Sequence, residues 1–406
     1  MAMILEGIRV LDWTLFQQGP VSTMLLAELG ADVIKIEERT AGDPGRGLMR
    51  VVGATLNVPT GDRNSYYEYN NRSKRGITLD LKKEQGKQIL YQLVEKCDVF
   101  VHNYRMGVPE RLGLDYETLK KFNSKLIYAH SSGWGPEGPS RLEPSADYTG
   151  IARSGIMNIV GEPDMAPQMI QGGVADQTGA IMTTLGVVSA LYARDKYGIG
   201  QKIDVSLLGA MTAGTLGMAL SLNLISGIPS MRTFRKKAGN PLWNHYECKD
   251  GKWIALANLQ PDKFWPNLCR AMNLGDLEHD PRFNNMETRT KNSEELISIL
   301  DQNFATKTRD EWMNLLNKEG VIYSRLNAIS DLADDPQMLA NDYITDWEHP
   351  EWGKVKWTGF PIKFSETPMA IRREAPAFGQ HTEEILIEVL GYSWDDINKL
   401  QDEEVI

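Results

Sequence analysis

One aspartate, Asp176, stands in the run Gly172-Gly173-Val174-Ala175-Asp176-Gln177-Thr178-Gly179-Ala180, directly before a long uncharged segment. Aspartate is a favoured helix N-cap, and that role alone accounts for its place. Its setting admits a second role. Glycines before it and Gly179 after it leave space beside the carboxylate, where larger side chains would block a ligand. The segment that follows faces it with a largely apolar wall. A carboxylate with an ordinary pKa of roughly 3.9 is ionised at neutral pH. Such a group attacks an activated carbonyl without a partner base. The chemistry indicated is nucleophilic acyl transfer.

Arg39, Lys82, Arg105 and Arg111 stand at or just beyond the ends of predicted strands, or at the start of a helix. In parallel α/β sheets, ligands bind at the carboxyl ends of strands. Cations there suit a phosphate-bearing ligand, although each by itself reads more readily as solvated charge. Asp147-Tyr148 falls in a polar turn after Gly133-Trp134-Gly135-Pro136 and reads as an aromatic-lidded loop or as part of a site.

Other chemistries lack their residues. The loop after the first strand, Trp13-Thr14-Leu15-Phe16-Gln17-Gln18-Gly19-Pro20, carries no GxGxxG. There is no phosphate-binding GxxxxGK[ST], no HExxH and no GxSxG. The six histidines show no metal-ligand spacing.

The elements that must position these residues alternate. Ile8 to Asp12 reads as a strand, and Pro20 suits the first turn of the helix that follows. Leu25, Leu26 and Leu29 give that helix an apolar face, and Asp32 to Glu37 is the next strand. Helix and strand recur at Gln85–Cys97 and Asp98–His102, then at Tyr116–Phe122 and Leu126–His130. This alternation implies an α/β fold with a parallel sheet covered on both faces. A long irregular stretch, about Thr40 to Lys74, interrupts it, and loops of that length are usually functional. A helix over Gln177–Ala193 and a strand over Gln201–Leu207 follow. The uncharged, glycine-dotted stretch Val205–Met231 reads as a buried, closely packed helix rather than a membrane span. Beyond Arg232 short elements and basic residues take over. The expected organisation is a large domain from 1 to 228, a smaller α+β domain from 229 to 325, and a segment from 326 to 406 that rejoins the first.

Composition permits this. Hydrophobic residues make up 42% and charged residues 24% of the 406, enough for a sizeable core. A net charge of −10 supplies no broad field for nucleic acid or an anionic membrane. Cys97, Cys248 and Cys269 are odd in number and far apart, which fits a reducing, cytoplasmic setting. The first residues, Met1-Ala2-Met3-Ile4-Leu5-Glu6, carry no signal-peptide pattern.

Taken in order, LEGIRVLDWT…GP, LGADVIKIE…GDPGR, SKRGITLDLK, VHNYRMGVPERLGLDYETL, GWGPEGP, the aspartate before the long helix, GQKIDVSL, YECKDGKWIALAN, DPRF, EGV and APAFGQHTEEIL resemble the class III, formyl-CoA transferase-like CoA transferases. That family includes carnitine and bile-acid CoA transferases and 2-methylacyl-CoA racemases. The resemblance runs nearly end to end. It implies a Rossmann-like large domain, a small domain and an interlocked homodimer. It also implies coenzyme A thioesters and a carboxylic acid as substrates, with no permanently bound cofactor. Asp176 is similar to the family nucleophile, which passes through a mixed anhydride and an aspartyl-CoA thioester. Gln17 and Gln18 resemble the loop at the thioester end of CoA. Leu79, Asp80, Leu81 and Lys82, with Arg39, resemble the adenine and phosphate site. Asn103, Tyr104, Arg105 and Arg111 match the next CoA-contacting stretch, and Ala146, Asp147 and Tyr148 the active-site lining. Backbone N–H groups at the helix start, with Gln17, are the implied oxyanion donors.

Two positions depart from the oxalate-using members. Their tryptophan after GD…RG is Leu48 here, and their glycine run is Ala238-Gly239-Asn240-Pro241. Both point away from formyl-CoA and oxalate, and Leu48 toward a larger or less polar acid. A racemase on this scaffold needs two bases, yet the family's histidine position is Ala146, and no histidine lies between His130 and His245. A non-catalytic CoA-binding protein is the remaining alternative, which an intact Asp176 with its glycines argues against.

Overall fold

The computed structural model describes residues 2–47 and 63–406, and the backbone of 50–51 and 54–55. The chain divides into two compact units. The larger comprises Met1–Met157, Met169–Pro229 and Thr345–Ile406. Its sheet has six parallel strands: β1 (Arg9–Trp13), β2 (Asp32–Glu37), β3 (Arg75–Thr78), β4 (Val99–His102), β5 (Ile127–Ser132) and β6 (Gln201–Ser206). Their spatial order is β3-β2-β1-β4-β5-β6. This is the α/β architecture that the alternating pattern implies. The order reverses between β1 and β4, and a doubly wound sheet opens its ligand crevice at the carboxyl end of that pair.

Side chains alternate across the sheet with period two. Leu11, Ile34, Phe100 and Tyr128 point to one face, where they pack with the helices Glu84–Glu95, Thr382–Leu390 and Trp394–Asp402. Val10, Val33, Val99, Ile127 and Ala129 point to the other. There they meet α1 (Gln18–Glu28) through Leu26 and Ala27, and the Val174–Tyr197 helix through Val187, Ala190 and Leu191. With both faces covered, the central strands are largely apolar, apart from buried charges such as Asp12 of β1 and Lys35 of β2. The helix α1 is buried on nearly every side, from Gln18 to Glu28, rather than on one apolar face.

The second unit comprises Asn158–Gln168 and Ser230–Ile344. It is α+β: a three-stranded antiparallel sheet, Trp243–Glu247, Trp253–Ala257 and Tyr323–Arg325, backed by the helices Pro261–Met272, Ser293–Phe304 and Arg309–Lys318. Tyr246, Ile254, Trp265, Leu268, Phe304 and Trp312 form its core. Residues 230–325 of the expected small domain lie in this unit, which also runs on to Ile344 and takes in Asn158–Gln168.

Three sequence expectations change. The irregular stretch 40–74 contains α2 (Ser65–Asn71), capped by the Asn64 side chain, which accepts from the Tyr66 and Tyr67 N–H groups. The Asp147-Tyr148 turn is the start of α3 (Asp147–Ser154). The expected buried helix over Val205–Met231 breaks instead into a helical turn, a π-helical stretch and the Gly217–Ser226 helix, bent by 71°. No residue of Gly217–Ser226 is buried, and Leu224 is 74% and Ile225 86% exposed. An absence of charge signals burial, but nothing among the described residues covers the segment. No single helix among the described residues is long and apolar enough to cross a membrane, although the bent pair Leu207–Thr215 and Gly217–Ser226 passes that test by length and composition.

Candidate active site

The loop leaving β1 has its backbone tied by side chains from other elements. Asn103, just past β4, accepts from the Leu15 N–H at 2.9 Å and donates to the Leu15 carbonyl at 2.8 Å. Asp43 accepts from the Phe16 N–H at 3.1 Å, and Asn70 of α2 donates to the Phe16 carbonyl at 3.1 Å. Lys35 of β2 donates to the Thr14 carbonyl at 2.9 Å. Phe16 sits at φ 61°, a left-handed conformation costly for a non-glycine residue. The surrounding bonds hold it there and fix the direction of Gln17 and Gln18.

Beneath the loop lies a buried charge cluster. Lys35 pairs with Asp43 at 2.9 Å and Lys74 with Asp12 at 2.8 Å, all four side chains having no exposure. Burial depresses the Lys74 pKa to about 8 against the pull of Asp12, with Lys35 adding to the depression. Burial also opposes charge on Lys35, yet Asp43, Asp12 and Glu37 outweigh it and hold its pKa above the ordinary value. Thr23 and Lys74 both donate to Asp12, so these charges are satisfied as well as paired.

Asp176 lies on the helix α4 (Val174–Tyr197), whose N-cap is Gly173 in a left-handed conformation at φ 67°. Asp176 is therefore inside the first turn, not the cap. The capping role belongs to Asp147, at the start of α3, whose Oδ1 accepts from the N–H groups of Ala175 at 2.8 Å and Asp176 at 3.0 Å. Those donors are thus engaged, which corrects the expectation that they await an oxyanion. Burial, and then the Asp147 carboxylate, raise the Asp176 pKa to about 7. The carboxylate is not the fully ionised group that its ordinary pKa implies.

Asp176 lines a cavity of about 610 Å³ at the carboxyl ends of β1, β4 and β5. The wall includes Gln17, Gln18, Asn103, Tyr104, Arg105, Ala146, Asp147 and Tyr148, all expected from the sequence. The Gln17 amide rests against Gly173, where a Cβ would come within 2.7 Å of it. Gln18 rests in the same way against Gly179, where a Cβ would come within 2.5 Å of its amide nitrogen. The Tyr104 ring stacks on Trp13 at 4.0 Å. Arg105 stands exposed at the rim.

The other expected residues are not in this wall. Leu79 and Leu81 have their side chains in the core, at 0% and 8% exposure. Asp80 accepts from the Lys82 N–H, and the Lys82 side chain is exposed. Arg39 donates to the Ile406 carbonyl at 2.9 Å. Arg111 is exposed in the Val108–Leu112 helix. Leu48 lies outside the described residues, and Ala238–Pro241 belong to the second unit. The side-chain amide of Asn103 is occupied with Leu15, so its evident task is to hold the loop.

Sequence reading missed Tyr66, Ser131, Ser132, Met169 and Leu207, which also line the cavity. Tyr66 is the second residue of α2, and burial, then Asp176, push its hydroxyl pKa upward and keep it protonated. Only the cap signal at Asn64 could have found that helix. No histidine is among the described residues of the wall.

A doubly wound sheet with a cavity at its switch-point crevice, lined by Asp147 and Asp176, is the architecture of an α/β enzyme. The model of CoA-transferase family III matches residues 5–382, and the chain belongs to that family. It is 31% identical over its whole length, and over the whole of the relative, to (R)-2-hydroxy-4-methylpentanoate CoA-transferase of Clostridioides difficile. It is 32% identical over 99% of its length and 98% of the relative to succinyl-CoA–D-citramalate CoA-transferase of Chloroflexus aurantiacus. Among solved structures, a CAIB/BAIF family protein from Brucella suis superposes with a TM-score of 0.82 at 29% identity, covering 96% of this chain and 100% of that one. The protein is a CoA-transferase.

Proposed function

We propose that this enzyme moves coenzyme A from an acyl-CoA to a second carboxylic acid through Asp176. The observation that carries the reading is a partly buried carboxylate in the wall of a cavity at the sheet's switch point, with an amide against the helix turn before it. An Asp176 oxygen attacks the thioester carbon, and the carbon–sulfur bond breaks to release CoA thiolate. The result is a mixed anhydride between Asp176 and the acyl group. The thiolate then attacks the aspartyl carbonyl, which frees the donor acid and leaves an aspartyl-CoA thioester. The acceptor carboxylate attacks that thioester, expelling thiolate and forming a second anhydride. Attack of the thiolate on the acceptor's acyl carbon yields the new acyl-CoA and restores Asp176. Each step exchanges one activated acyl bond for another, so the thioester energy is retained.

With the Ala175 and Asp176 N–H groups engaged by Asp147, donors in the wall such as the Gln17 amide and the Tyr66 hydroxyl serve the developing oxyanions. Asp147 places the helix turn, and its charge keeps Asp176 from over-stabilisation as an anion. Arg105 meets the phosphates at the rim. Arg39, the Leu79–Lys82 turn and Arg111 take the nucleotide end at a distance from the acyl cavity. A racemase would require a second base of the histidine type, and the described residues of the cavity wall include none.

The same reading makes the protein a cytoplasmic homodimer. Its three free cysteines are buried, and Ile181, Leu185 and Tyr192 on α4 stand exposed at 56%, 58% and 69%. Leu224 and Ile225 of Gly217–Ser226 are exposed as well, and a second copy would cover these apolar side chains. Incubation with a panel of acyl-CoAs, trapping with hydroxylamine and peptide mass spectrometry test the mechanism. A mark on Asp176 that vanishes in Asp176→Ala is expected. Absence of any mark, together with α-proton exchange, would replace transfer by isomerisation.

A further inference from the structure

Register between neighbouring strands sets His102 of β4, His130 of β5 and Asp204 of β6 in one row of the sheet. Side chains of one row share a face. The His102 and His130 rings stack, with centroids 4.4 Å and planes 7° apart. His130 is buried, and both of its ring nitrogens face oxygen. Nδ1 lies 3.1 Å from Asp204 Oδ1, and Nε2 lies 3.1 Å from the Tyr104 carbonyl oxygen. An ionised carboxylate and a carbonyl only accept hydrogen bonds, and a neutral imidazole has a single N–H to give. Both contacts are satisfied only when His130 carries a proton on each nitrogen. The surroundings agree. Burial opposes charge on Asp204, yet the bonds from His130 and Lys202 outweigh it and hold its pKa below the ordinary value. Burial, and then His130, push the His102 pKa well down, so the stacked rings are not two cations. A cavity of about 300 Å³ beside the pair is lined by the carboxylates of Glu110, Asp115 and Glu117, by Lys202 and by the hydroxyls of Tyr116 and Tyr128. Negative groups outnumber the one lysine there.

The Tyr104 carbonyl belongs to the peptide that joins Tyr104 to Arg105, and both residues line the acyl cavity. We propose that His130, as an imidazolium paired with Asp204, is a positioning residue that fixes this peptide and so aims Arg105 at the phosphates of coenzyme A. The assignment rests on the reading of Arg105 as the cation that meets those phosphates. The Tyr104 ring has its own anchor on Trp13, whereas the Arg105 side chain is exposed and unsupported by packing. A backbone fixed in advance lowers the cost of ordering that side chain on a ligand. When His130 loses one proton and keeps the other for Asp204, its Nε2 lone pair faces the carbonyl oxygen. Attraction gives way to repulsion, the peptide is released, and affinity for coenzyme A falls.

The test measures binding of S-ethyl-CoA by calorimetry, a thioether that Asp176 cannot open. His130→Phe keeps an aromatic ring against His102 and removes both donors. Arg105→Ala and His130→Phe should each weaken binding roughly tenfold. The double variant should also lose roughly tenfold, because the second change removes an effect already lost. Losses that multiply to about a hundredfold, or no loss in His130→Phe, overturn the proposal; a merely structural role would give the first. Two further measurements need only wild type. NMR of the histidine ring nitrogens should show a proton on both nitrogens of His130 at pH 7. Raising the pH through the titration of that ring should weaken binding by a similar factor, a step that His130→Phe lacks. A single ring proton at pH 7, or a wild-type affinity indifferent to the titration, overturns the proposal. No binding of S-ethyl-CoA by wild type and no Asp176 adduct with any acyl-CoA would remove the transfer reading, and this assignment with it.

Discussion

A carboxylate that must act as a nucleophile works only when deprotonated, and Asp176 is held near a pKa of about 7 by burial and Asp147. The rate of adduct formation should therefore rise about tenfold per pH unit below that value and level off above it. Stopped-flow measurement of adduct formation across pH 5 to 9 checks this. Asp147→Asn keeps an oxygen to accept the two helix N–H groups but removes the charge. Its profile should move toward acid, by about one pH unit. Asp147→Ala loses the cap as well and should cost about 1–2 kcal/mol of stability, read by denaturant unfolding. The linkage also has a sign. The folded protein holds the Asp176 proton more tightly than the unfolded chain, so stability falls as pH rises from about 4 through about 7. Asp176→Asn should consequently melt above wild type at pH 8, with the gap closing below pH 7. Equal melting temperatures at pH 8 would contradict the raised pKa.

At the scale of elements, the loop from Thr14 to Gln17 is the part most dependent on its neighbours. Its backbone bonds go to Lys35, Asn103, Asp43 and Asn70, from separate stretches of chain. Asn103→Ala removes both bonds to Leu15 and lets Gln17 drift. A misplacement of about 1 Å can cost on the order of a hundredfold in rate. The loss should fall on kcat, with KM for acyl-CoA little changed, because Asn103 spends its amide on the loop. Lys74→Met leaves Asp12 buried beside fewer cations and should cost about 3–5 kcal/mol, measured by chemical denaturation. Much of the element order was legible, since strand runs such as Asp32–Glu37 and helices such as Ser293–Phe304 carry their own periodicity. The helix Ser65–Asn71 was not. Its sequence, SYYEYNN, is aromatic and polar without an apolar stripe, so beyond the local cap at Asn64 nothing in it marks a helix.

For the whole molecule, the exposed apolar surfaces of α4 and of Gly217–Ser226 are the features that a single chain leaves unexplained. Light scattering coupled to size exclusion should give two chains of 45.6 kDa. Leu185→Glu combined with Ile225→Glu should shift the mass toward one chain or cause aggregation, with loss of activity. A monomeric, fully active wild type would contradict the dimer.

Strand-helix alternation, the ordered family motifs and the carboxylate at Asp176 were readable directly, because periodicity and residue type are local properties. The cavity group Gln17, Gln18, Asn103, Tyr104, Arg105, Ala146, Asp147 and Tyr148 could be named from its motifs. What each of these residues does could not. That Asp147 takes the helix N–H groups, that Asn103 holds Leu15, that Gln18 is left unpaired and that Asp176 titrates near 7 are all relations between segments far apart in the chain. Hydrogen-bond partners and local dielectric exist only once the sheet has brought those segments together, so they were settled by tertiary structure alone.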